Sequence, residues 1–542
     1  MEQEISQAVK QLFGVDVTPV LTRPEPEFGD YATNVAMQLA KEVGDNPRRI
    51  AEQIAEKLSE TGTYETVEVA GPGFINIRLK NEALLALVKK EPQPMRAGQT
   101  TVIETNNPNP FKAMHIGHAM NAIVADTLAN LLAVDGAKLY RVSYHGDIGL
   151  HVGKSMYSLL KYIDGDIKKL ESVPESEHNS FMSKMYAEGS KAYKSDDTIK
   201  KEIDGLAEQS FAPQSALYTD VYQMCLKWSF DEITRTVERL GNQPIVYRFL
   251  ESDADHRGVE IVKKNTPRVF TKSDGAYIFK GSNYGSFDNV FVASNGHGLY
   301  AARDLGLIQL KNEQFHAEKS YIVTGGEQGP YFKGVIAAAG LVDPSLKDQT
   351  TNIPTGLVKL TTGKMSSRNG DVIEIAWLFD EFKNAITARG GDASDEIIAG
   401  ALRYQFLKVK IGNDIIFDIN EAVSLTGNTG SYLQYAHARA HGILQKASKA
   451  FAYPQTVNLE DRPLVRKLGE YTEVIQLAMT TLEPHHICNY LFELAQEFNR
   501  YYEKNQVVGS DQEEHRVGLV SLYADTLKAG LAILGIYAPD KM

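Results

Sequence analysis

A chain of 542 residues with 43% hydrophobic and 23% charged residues has the composition of an ordinary soluble globular protein, and it is too long for one core, so two to four domains are expected. No apolar run approaches the roughly 20 residues that a membrane helix needs, and Cys225 and Cys488 alone supply neither a disulfide framework nor a cysteine-based zinc site. The formal charge of −12 speaks against non-specific coating of RNA, although a sum over the chain leaves room for local basic strips. The N-terminus, MEQEISQAVKQLFGV, has no signal-peptide core and is poor in arginine, so a reducing cytoplasm is expected.

Residues 1–95 read as a separate α+β module. EISQAVKQLFGV is amphipathic, DYATNVAMQLAKEV and RIAEQIAEKL keep helical spacing, and Glu65 to Leu79 alternates like two strands around a Gly-Pro-Gly turn. The stretch from Thr101 to Tyr144 is the organising one. A β-branched run to Thr105 passes through a turn at Pro108 and Pro110. Met120, Ile123, Val124, Leu128, Leu131 and Leu132 then fall on one helical face, Gly136 stops the helix, and Lys138 to Tyr144 reads as a strand. This β-α-β unit carries His115-Ile116-Gly117-His118 at the mouth of its helix. Unpaired N–H groups and a positive dipole end suit phosphate there, Gly117 would let a flat purine approach the backbone, and the imidazoles can donate to phosphate oxygens. Taken alone, the quartet fits two satisfied, partly buried histidines equally well.

His145-Gly146-Asp147-Ile148-Gly149 ends the next strand. Residues beyond a strand's C-terminus line the ligand crevice of an open parallel sheet, though Asp147 also suits a helix cap. Residues 155–290 are charged and mostly helical, without distinctive chemistry. In Gly298 to Leu305 a helix would place Tyr300 and Asp304 one turn apart. Gly325-Gly326-Glu327-Gln328-Gly329 is a tight turn after the strand KSYIVTG. Gly363-Lys364-Met365-Ser366-Ser367-Arg368-Asn369-Gly370 is a polar, cationic, glycine-bounded loop. From about 411 the chain is predominantly helical to TLKAGLAILGIYAPDKM.

The His115 quartet and the Lys364 loop, in this order, resemble the HIGH and KMSKS signatures of class I aminoacyl-tRNA synthetases. Their flanks, the FGDYATNVAMQLAK and VEVAGPGFINIRL stretches and the terminal Pro-Asp-Lys-Met narrow the resemblance to the arginyl-tRNA synthetase family, over nearly the whole chain. The implied fold is α/β: a Rossmann-like parallel-sheet catalytic domain (96–410) split by a connective insertion (about 155–290). An N-terminal α+β domain (1–95) would bind the outer corner of the tRNA, and an α-helical bundle (411–542) its anticodon. The implied activity is an arginine–tRNA ligase. ATP and L-arginine give arginyl-adenylate and pyrophosphate, and tRNA-Arg then accepts the arginyl group.

Residue by residue, the resemblance implies a catalytic group of His115, His118, Lys364 and Lys112. Ser367 stands where a second lysine is common, and Lys112, just ahead of the quartet, is expected to compensate. Gly117, Gly325, Met365 and Ser366 complete the ATP site. Glu104, Asn109, His115, Tyr300, Asp304 and Gln328 form the arginine pocket, with Asp304 facing the guanidinium fork and Glu104 and Asn109 the α-amino end. A site built for five donors rejects lysine strongly, so no editing domain is expected. Phe74 and Asn76 would meet a D-loop base. Tyr432, Tyr435, Arg439, Tyr502 and Met542 would meet the anticodon side, although core packing is an equal rival for each tyrosine. Mg²⁺ would accompany ATP, with no zinc and no resident metal. The chain is expected to be monomeric and to have no membrane partner.

Other class I synthetases are rivals, but cysteine enzymes typically need zinc and this chain lacks the cysteines for it. A small-molecule adenylyl-forming ligase would have no use for two RNA-facing end domains. A catalytically silent paralogue, acting as an RNA-binding or regulatory subunit, is opposed by intact His115, His118 and Lys364. Ile148, where the family usually has Trp, keeps that alternative open.

Overall fold

The run Thr100–Asn106 forms the central strand of a five-stranded, wholly parallel sheet, because its β-branched residues can be buried on both faces: Val102 and Ile103 are fully buried. The computed structural model describes residues 1–360, 373–447 and 453–542. Strands are numbered in chain order: β1 (Leu21–Thr22), β2 (Tyr31–Thr33), β3 (Tyr64–Ala70), β4 (Phe74–Leu79), β5 (Thr100–Asn106), β6 (Lys138–His145), β7 (Tyr247–Leu250), β8 (Thr271–Ser273), β9 (Ala276–Phe279), β10 (Asn289–Val292), β11 (Lys319–Gly325) and β12 (Thr350–Thr355). The chain divides into two compact units, Met1–Pro92 with Ala440–Gln476 and Phe492–Leu527, and Gln93–Arg439 with Leu477–Leu491 and Lys528–Met542.

In the larger unit the sheet order is β12-β11-β5-β6-β7. Strand order therefore reverses between β5 and β11, which opens a crevice at their C-terminal ends. The helix Ile116–Val134 follows β5 and is buried nearly all round rather than along one stripe. Asp135 ends it, and Gly136 takes the left-handed conformation (φ 86°) that a side chain would resist. The structure corrects the reading of 155–290 as one insertion: β7 pairs with β6 inside the main sheet, and the helix Glu251–Lys264 continues from it. The inserted material is instead a helical block from Leu150–Ile163 to Ala216–Arg239 and a small antiparallel sheet, β10-β9-β8.

Glycines let the helices Glu251–Lys264 and Tyr300–Phe315 approach closely: a Cβ on Gly258 would strike the Ala302 carbonyl, and one on Gly306 the Ala254 carbonyl. The fully buried Arg403 guanidinium anchors the back of the helix Ile116–Val134. It donates to Asp126 Oδ2 (2.9 Å), Asn242 Oδ1 (2.9 Å) and the carbonyls of Leu240 (3.0 Å) and Leu534 (2.8 Å).

The smaller unit is built on the antiparallel sheet β1-β2-β4-β3. Along β4, Ile75, Ile77 and Leu79 point into the core while Phe74, Asn76 and Arg78 face outward, the period-2 pattern expected of a half-buried strand. Late segments of the chain complete this unit. Buried Asp30 accepts from Arg462 Nη2 and from the Leu79 N–H, both at 2.7 Å.

Candidate active site at the sheet's switch point

The turn from β5 into its helix is fastened residue by residue. His145 Nδ1 bonds the Pro108 carbonyl (2.6 Å), Asn109 Oδ1 accepts from the Gly146 N–H (3.3 Å), and Phe111 is bonded on both sides by serine hydroxyls. His115 then caps the helix. The His115 and His118 rings stack at 3.6 Å, the His115 N–H donates to His118 Nδ1 (3.2 Å), and the His115 ring accepts from the His118 N–H. His118 therefore carries its proton on Nε2, and each ring keeps one N–H for an outside acceptor. Burial, then Lys112, pushes His115 down to about 4; burial, then His115 and Lys112, pushes His118 well below the ordinary imidazole range. Both rings are neutral donors at physiological pH.

A Cβ on Gly117 would press on the His115 ring at 3.2 Å, so here the glycine makes room for the imidazole where the sequence reading expected a purine. Lys112 is half-buried, and its ammonium has no hydrogen-bond or ion-pair partner among the described residues. Burial, then Lys154, lowers its pKa. Among the described residues Lys112 is a cation held without an anion, and its charge reaches His115, His118 and His151. Lys364, Met365 and Ser366, with the rest of the loop Gly363 to Gly370, lie outside the described residues. The described chain beyond the loop is tied to the histidine turn: Ile116 N–H donates to Ile373 O (2.9 Å) and Ile375 N–H to Met114 O (3.1 Å).

Next to this turn lies an acidic region, Asp304 with Glu104 and Glu251. Asp304, half-buried in the second turn of Tyr300–Phe315, accepts from the Tyr331 hydroxyl on Oδ2 (2.5 Å), while Oδ1 has no hydrogen-bond partner among the described residues. Burial, reinforced by Glu104 and Glu251, raises its carboxyl to about 7 against the lowering effect of Tyr331 and Lys311. Gly146 joins the two regions. A Cβ there would lie 2.8 Å from Glu251 Oε2 and 2.9 Å from Asn109 Oδ1, and the Gly146 carbonyl bonds His151 Nε2 (2.7 Å).

Several expectations change on this geometry. Glu104 is buried, with Lys311 Nζ at 2.5 Å on one oxygen and Asn107 Nδ2 at 2.6 Å on the other, so it is not a free carboxylate for the α-amino end. Tyr300 opens the helix and is 73% exposed, with Arg303 over its ring, while Asp304 turns inward. Gln328 is exposed at the start of the helix Gly329–Val342, and Gly325 ends β11 with Glu327 folded over it. Asp147 neither lines the crevice nor caps the next helix; it accepts from Ser252 N–H (2.9 Å) and Oγ (2.8 Å). Ile148 is buried.

On the RNA-facing candidates, Phe74 is exposed and Asn76 half-buried on the same strand face. Tyr435 and Arg439 are exposed one turn apart on Gly430–Lys446, whereas Tyr432, Tyr502 and Met542 are half-buried. Sequence reasoning missed Lys311, Tyr331, Glu251 and Arg303. Lys311 follows Asp304 by two helical turns, a spacing that marks a shared face, but nothing local marks its partner. Glu483, His485 and His486 also come close enough to share an ion, yet Lys410 Nζ holds Glu483 at 3.1 Å.

A parallel sheet with a histidine turn at its switch point defines the class I aminoacyl-tRNA synthetase fold. Family models match along the chain: the arginyl-tRNA synthetase N-terminal domain over residues 1–79, the class I (R) tRNA synthetase catalytic domain over 81–418, and the DALR anticodon-binding domain over 433–542. The chain belongs to the arginyl-tRNA synthetase family. It is similar to an arginine–tRNA ligase of Limosilactobacillus fermentum (29% identity, 97% of this chain, 96% of the relative) and to one of Clostridium botulinum (26%, 96% and 95%). The fold is similar to that of Thermus thermophilus arginyl-tRNA synthetase (TM-score 0.82, 24% identity, covering 100% of this chain and 99% of that one). It is also similar to the Plasmodium falciparum enzyme (TM-score 0.79, 18%, 100% and 98%).

Proposed function

We propose that the chain activates L-arginine with MgATP and transfers it to tRNA-Arg, with the named residues in the following roles. The observation that carries the reading is the pairing, among the described residues, of a cation without an anion, Lys112 beside two neutral imidazoles, with a half-buried carboxylate, Asp304, whose Oδ1 has no hydrogen-bond partner there. Asp304 takes the guanidinium fork, Tyr331 holds the other carboxylate oxygen, and Asn109 and Gln328 meet the α-amino end. The His115 and His118 N–H groups and the Lys112 ammonium receive phosphate charge as the arginine carboxylate attacks the α-phosphate, work that is chiefly positioning and charge stabilisation. Lys364 and its loop balance the leaving pyrophosphate. Mg²⁺ arrives with ATP and keeps its waters, since the histidine turn offers nitrogen donors rather than the oxygens this ion prefers.

Phe74 and Asn76 take a D-loop base, and Tyr435 with Arg439 leads the anticodon face. Two buried free thiols, Cys225 and Cys488, fit a reducing cytoplasm, and no helix of the described residues is long and apolar enough to cross a membrane. We expect a monomer. The test is ATP–pyrophosphate exchange with each amino acid in turn, with and without tRNA-Arg. Exchange that depends on arginine is expected, and exchange with another amino acid, or none under any condition, sinks the reading.

A further inference from the structure

The residue just before Lys112 has a backbone that an L-residue rarely adopts. Phe111 has φ 64°, in the left-handed region where a bulky side chain is an outlier, and its ring is fully buried against Tyr222 (5.4 Å, 29°). Two hydroxyls from the inserted helical block secure this bend. Ser229 Oγ, on Ala216–Arg239, accepts from the Phe111 N–H (3.0 Å) and spends its own proton on the Cys225 carbonyl (2.8 Å). Ser155 Oγ, on Leu150–Ile163, donates to the Phe111 carbonyl (2.9 Å).

We propose that this grip on Phe111 aims Lys112 into the nucleotide cradle, which makes Ser155 and Ser229 positioning residues for amino-acid activation. The inference rests on the reading of Lys112 as the compensating charge. Removing either hydroxyl strands a buried polar group of Phe111. The bend then relaxes toward common backbone angles, and the next residue, Lys112, shifts with it. The acidic region is built from other elements, which carry Asp304, Glu251 and Tyr331, and Asn109, two residues before Phe111, has its own anchor in the Gly146 N–H. The inserted block would thereby serve the chemical step directly.

The test is pyrophosphate exchange by the full chain with tRNA-Arg present, on Ser155→Ala, Ser229→Ala, Lys112→Ala and each serine variant combined with Lys112→Ala. Each serine variant should lose on the order of tenfold to a hundredfold in kcat, with the arginine KM within about twofold of the parent. That unchanged KM also certifies the fold, and two separate serine sites guard against one variant failing to fold. In the Lys112→Ala background the serine changes should add nothing. Parent-like kcat in both serine variants, or losses that multiply with that of Lys112→Ala, would overturn the positioning role. Parent-like activity in Lys112→Ala itself would instead remove the charge reading on which it rests.

Discussion

The histidine turn and the acidic region around Asp304 stand side by side at the same switch point and are distorted in opposite senses. At the turn, burial and Lys112 push His115 down to about 4; in the acidic region, burial with Glu104 and Glu251 raises Asp304 to about 7. One cause underlies both: each group is withdrawn from water before the charge that will balance it has arrived. Among the described residues the turn gathers positive charge and neutral donors without an anion, and the acidic region gathers carboxylates around Asp304. A nucleotide and a cationic amino acid would each relieve one imbalance, and Gly146 places the two reliefs next to each other. On the proposed reading, specificity would reside in incomplete electrostatics rather than in shape alone.

The comparison breaks most sharply at Asp304. Asp304→Asn leaves the fork with a neutral amide, and the arginine KM in pyrophosphate exchange should rise about a thousandfold. A parent-like KM would place guanidinium recognition elsewhere. A smaller effect tests the titration. Because the carboxyl is raised, protonation competes with arginine below its pKa of about 7. KM should be flat above about pH 8 and climb about tenfold per unit below pH 7, with a proton released on binding. Stability runs the opposite way: the protonated carboxyl favours the fold at low pH, and that contribution is lost as pH rises from the ordinary carboxylate range through about 7. Asp304→Asn should flatten the acid limb of the KM profile, and a limb that persists in it belongs to another group. Smallest is Tyr331→Phe. The hydrogen bond from the Tyr331 hydroxyl does most to hold Asp304 down, so its loss should move the acid limb to higher pH and raise KM about fivefold to tenfold at neutral pH. An unmoved midpoint would reduce Tyr331 to packing.

Much of the scaffold was legible because it follows from neighbours in the chain. The strand-turn-helix from Thr101, the stop at Gly136 and the hairpin around Gly71-Pro72-Gly73 each depend on periodicity or on glycine within a few residues. The strand β7 escaped notice because four residues inside a charged helical stretch carry little periodic signal. Glu104 read as a pocket residue, yet Lys311, which holds it, comes 207 positions later. Asp147 read as a crevice residue and is instead committed to Ser252, 105 positions on.

By itself, then, the order of amino acids determined that a histidine pair would stand at the mouth of a helix after a buried strand, and that Tyr300 and Asp304 would share a later helix. Both follow from repeats of two and 3.6 residues, which are local properties of the backbone. Only the tertiary structure decided which charges are paired and which are left waiting: Glu104 with Lys311, Arg403 with Asp126, and, among the described residues, Lys112 and one oxygen of Asp304 without a partner. Pairing and burial are set by groups hundreds of residues away, and it is burial that turns an ordinary lysine or aspartate into a site.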